Sequence, residues 1–172
     1  MQTKIKLLHL ITGLNCGGAE KMVYQLCKYS DKTQFDISVV SLDDTNYFFS
    51  KLKKLEIKVS KLGLKKNPFK FLNAIIFLNR FIRKYKIEII HAHLYHAMGM
   101  ACIMKILNPK IKILWTSHSS RMISMFRGII ACLSRLLRTQ DVILQSHLQS
   151  WYNTSIISVI PNGVELDCES KL

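Results

Sequence analysis

Apolar residues fall alternately in short runs and in helical stripes from one end of the chain to the other. Lys4–Thr12 is an apolar run closed by Gly13, the form of an interior parallel strand. Ala19, Met22, Val23 and Leu26 then recur at one-turn spacing, which is one face of a helix starting near Gly18. Phe35–Leu42 predicts a second strand, ended by Asp43 and Asp44. Tyr47–Leu55 predicts a helix and Ile57–Leu62 a third strand. Pro68 suits a helix start, and Phe71, Ala74, Ile75, Leu78, Ile82 and Tyr85 trace the apolar face after it.

The alternation continues with a strand at Ile87–His91, a helix at Ala97–Leu107 and a strand at Ile111–Thr116. A helix over Met122–Leu137 and strands at Val142–Leu144 and Ile156–Ile160 complete it, with Pro161-Asn162-Gly163 as a turn. Strands and helices that alternate in this way need a parallel sheet covered by helices. The expected fold is therefore a single doubly wound, mostly parallel α/β domain, Rossmann-like, over residues 1–164. Residues 165–172 read as the start of a linker or tail. The 172 residues hold one such domain, and 49% apolar content excludes disorder. With 7 Gly and 3 Pro the chain has little material for the many turns of an all-β fold.

Cys16, Cys27, Cys102, Cys132 and Cys168 contain no Cys-x-x-Cys pair and are odd in number, which points to a reducing compartment. The opening apolar stretch looks like a leader, but His9 and Thr12 interrupt it and Asn15 before Cys16 is a poor cleavage residue. No stretch reaches the roughly 18 apolar residues of a spanning helix. A cytoplasmic protein is the expectation.

In doubly wound sheets ligands bind beyond the carboxyl ends of the strands. Gly13-Leu14-Asn15-Cys16-Gly17-Gly18 occupies that place after the first strand. Glycines at a helix start let a phosphate approach the free amides and the positive end of the helix dipole. The turn is neither a P-loop nor a Gly-x-Gly-x-x-Gly motif, so chain geometry alone is the competing reading. His91-Ala92-His93-Leu94-Tyr95-His96 ends the fourth strand. His91 and His93 alternate onto one face and can point into the crevice. The same His-x-His-x-x-His spacing opens a hydrolase zinc site, but Tyr95 stands where an Asp belongs and Asp141 is the one Asp between His96 and Asp167. Trp115-Thr116-Ser117-His118-Ser119-Ser120 brings a further imidazole to the same rim, able to take a proton or bind a hydroxyl.

The order of these pieces, KLLHLITGLNCGGAEKMVYQL, IEIIHAHLYHAMGM, ILWTSHSS and ISVIPNGVELD, resembles the N-terminal domain of glycosyltransferase family four, two-domain enzymes of the GT-B fold. The resemblance implies the acceptor-binding half of a retaining, hexosyltransferase-type enzyme that uses a nucleotide sugar and a glycan or lipid-linked acceptor. It implies that Gly17 and Gly18 approach the donor diphosphate and that His118 is catalytic. Asn15, His91, His93, Tyr95 and Ser119 fall to the acceptor side, and no metal or cofactor is implied. Members carry a second domain with a Glu-x7-Glu motif, which Glu165, Asp167 and Glu169 do not reproduce. The donor half is thus expected from a separate polypeptide or lost by truncation, the latter being favoured. Alternatives are a non-catalytic remnant or binding module, a nicotinamide-binding domain with Asp43 or Asp44 on the ribose, and a zinc hydrolase on His91, His93 and His96.

Charge adds one partner. The formal net charge is +14, and from Lys51 to Lys86 twelve basic residues face one acid, Glu56. Lys66, Lys70, Arg80 and Lys84 share a stripe on the helix after Pro68, with Phe69, Phe77 and Phe81 outside its apolar face. A basic amphipathic helix with spare aromatics fits an anionic membrane surface, against the plain reading of a solvated lysine-rich face. No nucleic-acid-binding pattern appears, so nucleic acid is not an expected partner.

Overall fold

A computed structural model of the chain describes residues 3–64, 68–117, 137, 140–143 and 157–160. Its strands are β1 (Ile5–Ile11), β2 (Phe35–Ser41), β3 (Lys58–Lys61), β4 (Ile89–His93), β5 (Lys112–Ser117), β6 (Gln140–Ile143) and β7 (Ile157–Val159). The described helices are α1 (Gly18–Tyr29), α2 (Tyr47–Lys54), α3 (Pro68–Tyr85) and α4 (Tyr95–Leu107). All seven strands pair in parallel, in the order β3-β2-β1-β4-β5-β6-β7. The helix expected over Met122–Leu137 lies outside the described residues, apart from Leu137 itself.

Side-chain alternation assigns the two faces. Leu8, Leu10, Val40, Ile90, Ala92, Ile113 and Trp115 point to one face and pack with α3 and α4. Ile11, Ile37 and Val39 point to the other and pack with Ala19, Val23 and Cys27 of α1 and Phe48 and Leu52 of α2. Fully burying a side chain such as Leu8 or Ile113 contributes about 1.5–3 kcal/mol, so the sheet is fixed from both sides.

That division places a switch point between β1 and β4. The chain leaves β1 toward β2 through α1 and leaves β4 toward β5 through α4, on opposite faces. In doubly wound sheets ligands bind beyond the carboxyl ends of such a pair of strands. β4 runs two residues past the expected His91, because His91 pairs with His9 and Leu114 and His93 with Ile11 and Thr116. It stops at Leu94, whose φ of 71° and ψ of 162° turn the chain into α4 two residues before the expected Ala97. That conformation is close to glycine-only, and strain of this kind gathers at ligand sites.

α3 corrects part of the expected stripe. Phe81 is buried in the same core cluster as Leu78 and Ile82, whereas Phe71 is exposed. Phe69, Leu72, Ile76 and Phe77 are exposed beside Lys70, Arg80 and Lys84; Lys66 lies outside the described residues. No helix among the described residues is long and apolar enough to cross a membrane.

Candidate functional site at the β1–β4 switch point

The loop after β1 is anchored at its start and open at its end. The Leu14 amide donates to Thr45 Oγ1 at 2.6 Å, and the Phe48 amide donates to the Leu14 carbonyl at 2.9 Å. Leu14 is fully buried, which fixes the first half of the loop against α2. Asn15, Cys16, Gly17 and Gly18 are exposed.

Gly17 caps α1 in extended backbone (φ −144°, ψ 170°) with no side-chain cap. The first helical bond runs from the Lys21 amide to the Gly17 carbonyl at 2.9 Å. Among the described residues the amides of Gly18, Ala19 and Glu20 have no acceptor, as the geometry of a helix start requires. A Cβ on Gly18 would meet no heavy atom within 4 Å, so nothing among the described residues demands a glycine there. A Cβ on Gly17 would strike the Glu20 carboxylate, which folds back over the helix start. The mouth thus combines donors aimed outward with one acid that an incoming anion must displace.

Below this rim lies a buried histidine cluster. His9 on β1 is the direct ladder partner of His91 on β4, and His93 follows on the same face. His9 Nδ1 lies 3.1 Å from His93 Nε2, and His91 Nε2 lies 2.6 Å from Thr116 Oγ1. The His91 and His93 ring centroids are 4.0 Å apart, with His9 at 5.1 and 5.3 Å from them. Burial pushes the His9 pKa down to about 4, because a charged ring there would lose its hydration. Its Nε2 is buried without a hydrogen-bond partner among the described residues, as is Thr12 Oγ1 at the end of β1.

These positions revise several expectations. His91 and His93 are 7% and 0% exposed, so they do not stand open in the crevice; the β1–β4 ladder draws them into the sheet face. Tyr95 is buried on the opposite face, its ring edge-on to Trp115 at 5.4 Å, and packs the core instead of meeting an acceptor. His96 is exposed on α4 and does not join the other imidazoles, which removes the hydrolase ligand set. His9 takes the third place, a residue that looked like an interruption of an apolar strand. His118 and Ser119 lie outside the described residues; Ser117 ends β5 on the same rim.

The model of Glycosyltransferase Family 4 matches residues 16–168. The chain belongs to this family. Its fold is shared by Anabaena HepE, solved with UDP and glucose, at 17% identity and a TM-score of 0.75 over 94% of this chain and 45% of that one. A glycosyltransferase from Rickettsia africae aligns at 21% identity and a TM-score of 0.75, over 95% of this chain and 44% of its own. MurG from Acinetobacter baumannii aligns at 13% and 0.71, over 98% and 48%. The chain spans less than half the length of each, and at these identities the likeness establishes the fold alone. No curated protein sequence matches significantly.

Membership in glycosyltransferase family 4 displaces the nicotinamide reading. In this member Asp44 is engaged by Lys61, whose ammonium lies 3.6 Å from Asp44 Oδ1 and 3.2 Å from the Asp44 carbonyl.

Proposed function

We propose that this chain forms the acceptor-side half of a retaining glycosyltransferase, with the start of α1 receiving the diphosphate of a nucleotide-sugar donor. One observation carries the reading: at the switch point the amides of Gly18, Ala19 and Glu20 have no acceptor among the described residues, and Gly18 is exposed with no described neighbour that requires a glycine. Negative charge grows on a departing diphosphate while the sugar becomes oxocarbenium-like. Fixed amides at a helix start stabilise that charge without reorganising. UDP bound in the related Anabaena HepE supports a nucleoside diphosphate as the ligand. Asn15 on the same loop faces the acceptor side, and His118, following β5, is the group beside the transferred sugar. A facing donor-side domain completes the site.

Gly18→Asp tests the reading, because it sets a carboxylate where the phosphate would lie. Assayed with a donor-side domain present, transfer should fall by at least about 10²-fold, the scale of losing one oriented donor. Unchanged transfer by a variant with wild-type circular dichroism would take the loop out of the mechanism. His118→Ala in the same assay reports on the imidazole.

A second surface reading rests on α3. Phe69, Leu72, Ile76 and Phe77 are exposed on the helix that carries Lys70, Arg80 and Lys84. Apolar side chains flanked by cations suit in-plane contact with an anionic leaflet, where a lipid-linked acceptor would be met.

A further inference from the structure

We propose that Thr45, on the turn between β2 and α2, is a positioning residue for the glycine loop, setting the amides at the start of α1 for the diphosphate. This role rests on the diphosphate reading above. The Leu14 amide donates to Thr45 Oγ1 at 2.6 Å, and the Leu14 carbonyl accepts from the Phe48 amide at 2.9 Å. Both backbone polar groups of one loop residue are thus taken up by the β2–α2 segment. The Leu14 side chain is fully buried in the core cluster that also holds Val23, Phe48 and Leu52. Gly13 answers to the same contact. A Cβ there would come to 3.1 Å from Thr45 Oγ1 and 3.8 Å from Asp43 Cβ, so a bare backbone lets the hydroxyl reach Leu14.

Thr45 is in turn held from the edge of the sheet. Lys61, the last residue of β3, sends its ammonium to the Asp44 carbonyl at 3.2 Å and to Asn46 Oδ1, on either side of Thr45. The Asp43 amide donates to the Thr12 carbonyl at 2.8 Å, which ties the same turn to the end of β1. The loop therefore has one residue, Leu14, fixed by its amide, its carbonyl and its side chain just before the exposed stretch from Asn15 to Gly18. A loop without that anchor would have to be ordered as the ligand arrives, and the cost would come out of affinity. Donors already in place stabilise a phosphate without such reorganisation. Thr45 acts here through Leu14 and not by touching the ligand.

The test titrates the full chain with UDP by calorimetry and follows hydrogen exchange of the Leu14 amide by NMR, with fold checked by circular dichroism. Thr45→Val keeps the branched shape but removes the acceptor, leaving the Leu14 amide unpaired. It should bind UDP about tenfold more weakly, the scale of one hydrogen bond, and exchange the Leu14 amide faster. Thr45→Ser keeps the oxygen and should return affinity to within about twofold of wild type, a rescue that packing alone would not give because serine also lacks the methyl group. Gly13→Ala, which crowds the hydroxyl from the other side, should weaken UDP binding in the same direction, and it decides the question should Thr45→Val fail to fold. Folded Thr45→Val or Gly13→Ala with wild-type affinity, or Thr45→Ser as weak as Thr45→Val, would overturn the role. Wild-type chain that binds no UDP would overturn the diphosphate reading and this role with it. Wild-type binding that the variants leave unchanged would keep that reading and remove Thr45 alone.

Discussion

Glu20 sits at the third helical position of α1 and turns its carboxylate back over Gly17. There it favours the helix, because a negative charge complements the free amides and the dipole. The same charge opposes a phosphate at that mouth. Glu20→Gln should therefore tighten binding of a nucleoside diphosphate by at least about twofold, since even a well-solvated charge a few ångströms away is worth a substantial fraction of a kcal/mol. Calorimetric titration with UDP reads the change. Unchanged or weaker binding would mean that the anion does not enter beside Glu20. His9 is the residue that sequence reasoning left unused. Within Ile5–Ile11 a histidine interrupts an apolar run, and nothing local tells whether it breaks the strand or carries chemistry. Only the register between β1 and β4, set by residues about eighty positions apart, puts it against His91.

At the scale of elements, α2 and α3 end in the same way. The Ile57 amide bonds back to the Leu52 carbonyl at 3.3 Å and the Ile87 amide to the Ile82 carbonyl at 3.0 Å, each closing a Schellman turn. Glu56 (φ 61°) and Lys86 (φ 52°) hold the left-handed positions of those turns. A side chain there costs about 1 kcal/mol relative to glycine. Lys86→Gly should accordingly stabilise the domain by about 0.5–1 kcal/mol in urea unfolding, and a destabilised variant would show that the lysine side chain holds the turn by other contacts. Neither turn was visible in the sequence, because neither carries the expected glycine. The elements themselves were legible: apolar runs gave every described strand to within two residues, and helical spacing gave α1 to α4. β4 slipped because polar histidines at its end resemble a loop until their partners are known. On α3 the wheel separated the buried Leu78 and Ile82 correctly but exchanged Phe71 for Phe81: Phe81 joins the core cluster with Leu78 and Ile82, whereas Phe71 is exposed.

Across the whole molecule charge and apolar surface are unevenly spread. Residues 1–50 balance five bases with five acids, whereas Lys51–Lys86 carries a net +11. The exposed part of α3 lies within that basic segment and adds five apolar side chains to it, Phe69, Phe71, Leu72, Ile76 and Phe77. Vesicles containing anionic lipid should therefore cosediment the protein at low salt and release it as salt rises, with Phe69→Ser and Phe77→Ser together weakening binding at constant charge. Retention of the double variant equal to wild type would leave charge as the sole attraction. The loop, the switch point and the sheet faces combine in one claim: a diphosphate docks on the free amides that begin α1. Amide-resolved NMR during titration with UDP addresses it directly. The largest shifts should fall on Gly17, Gly18, Ala19 and Glu20, with the far end of α1 near Tyr29 unmoved. Saturable shifts confined to other surfaces, or none at millimolar UDP, would contradict it.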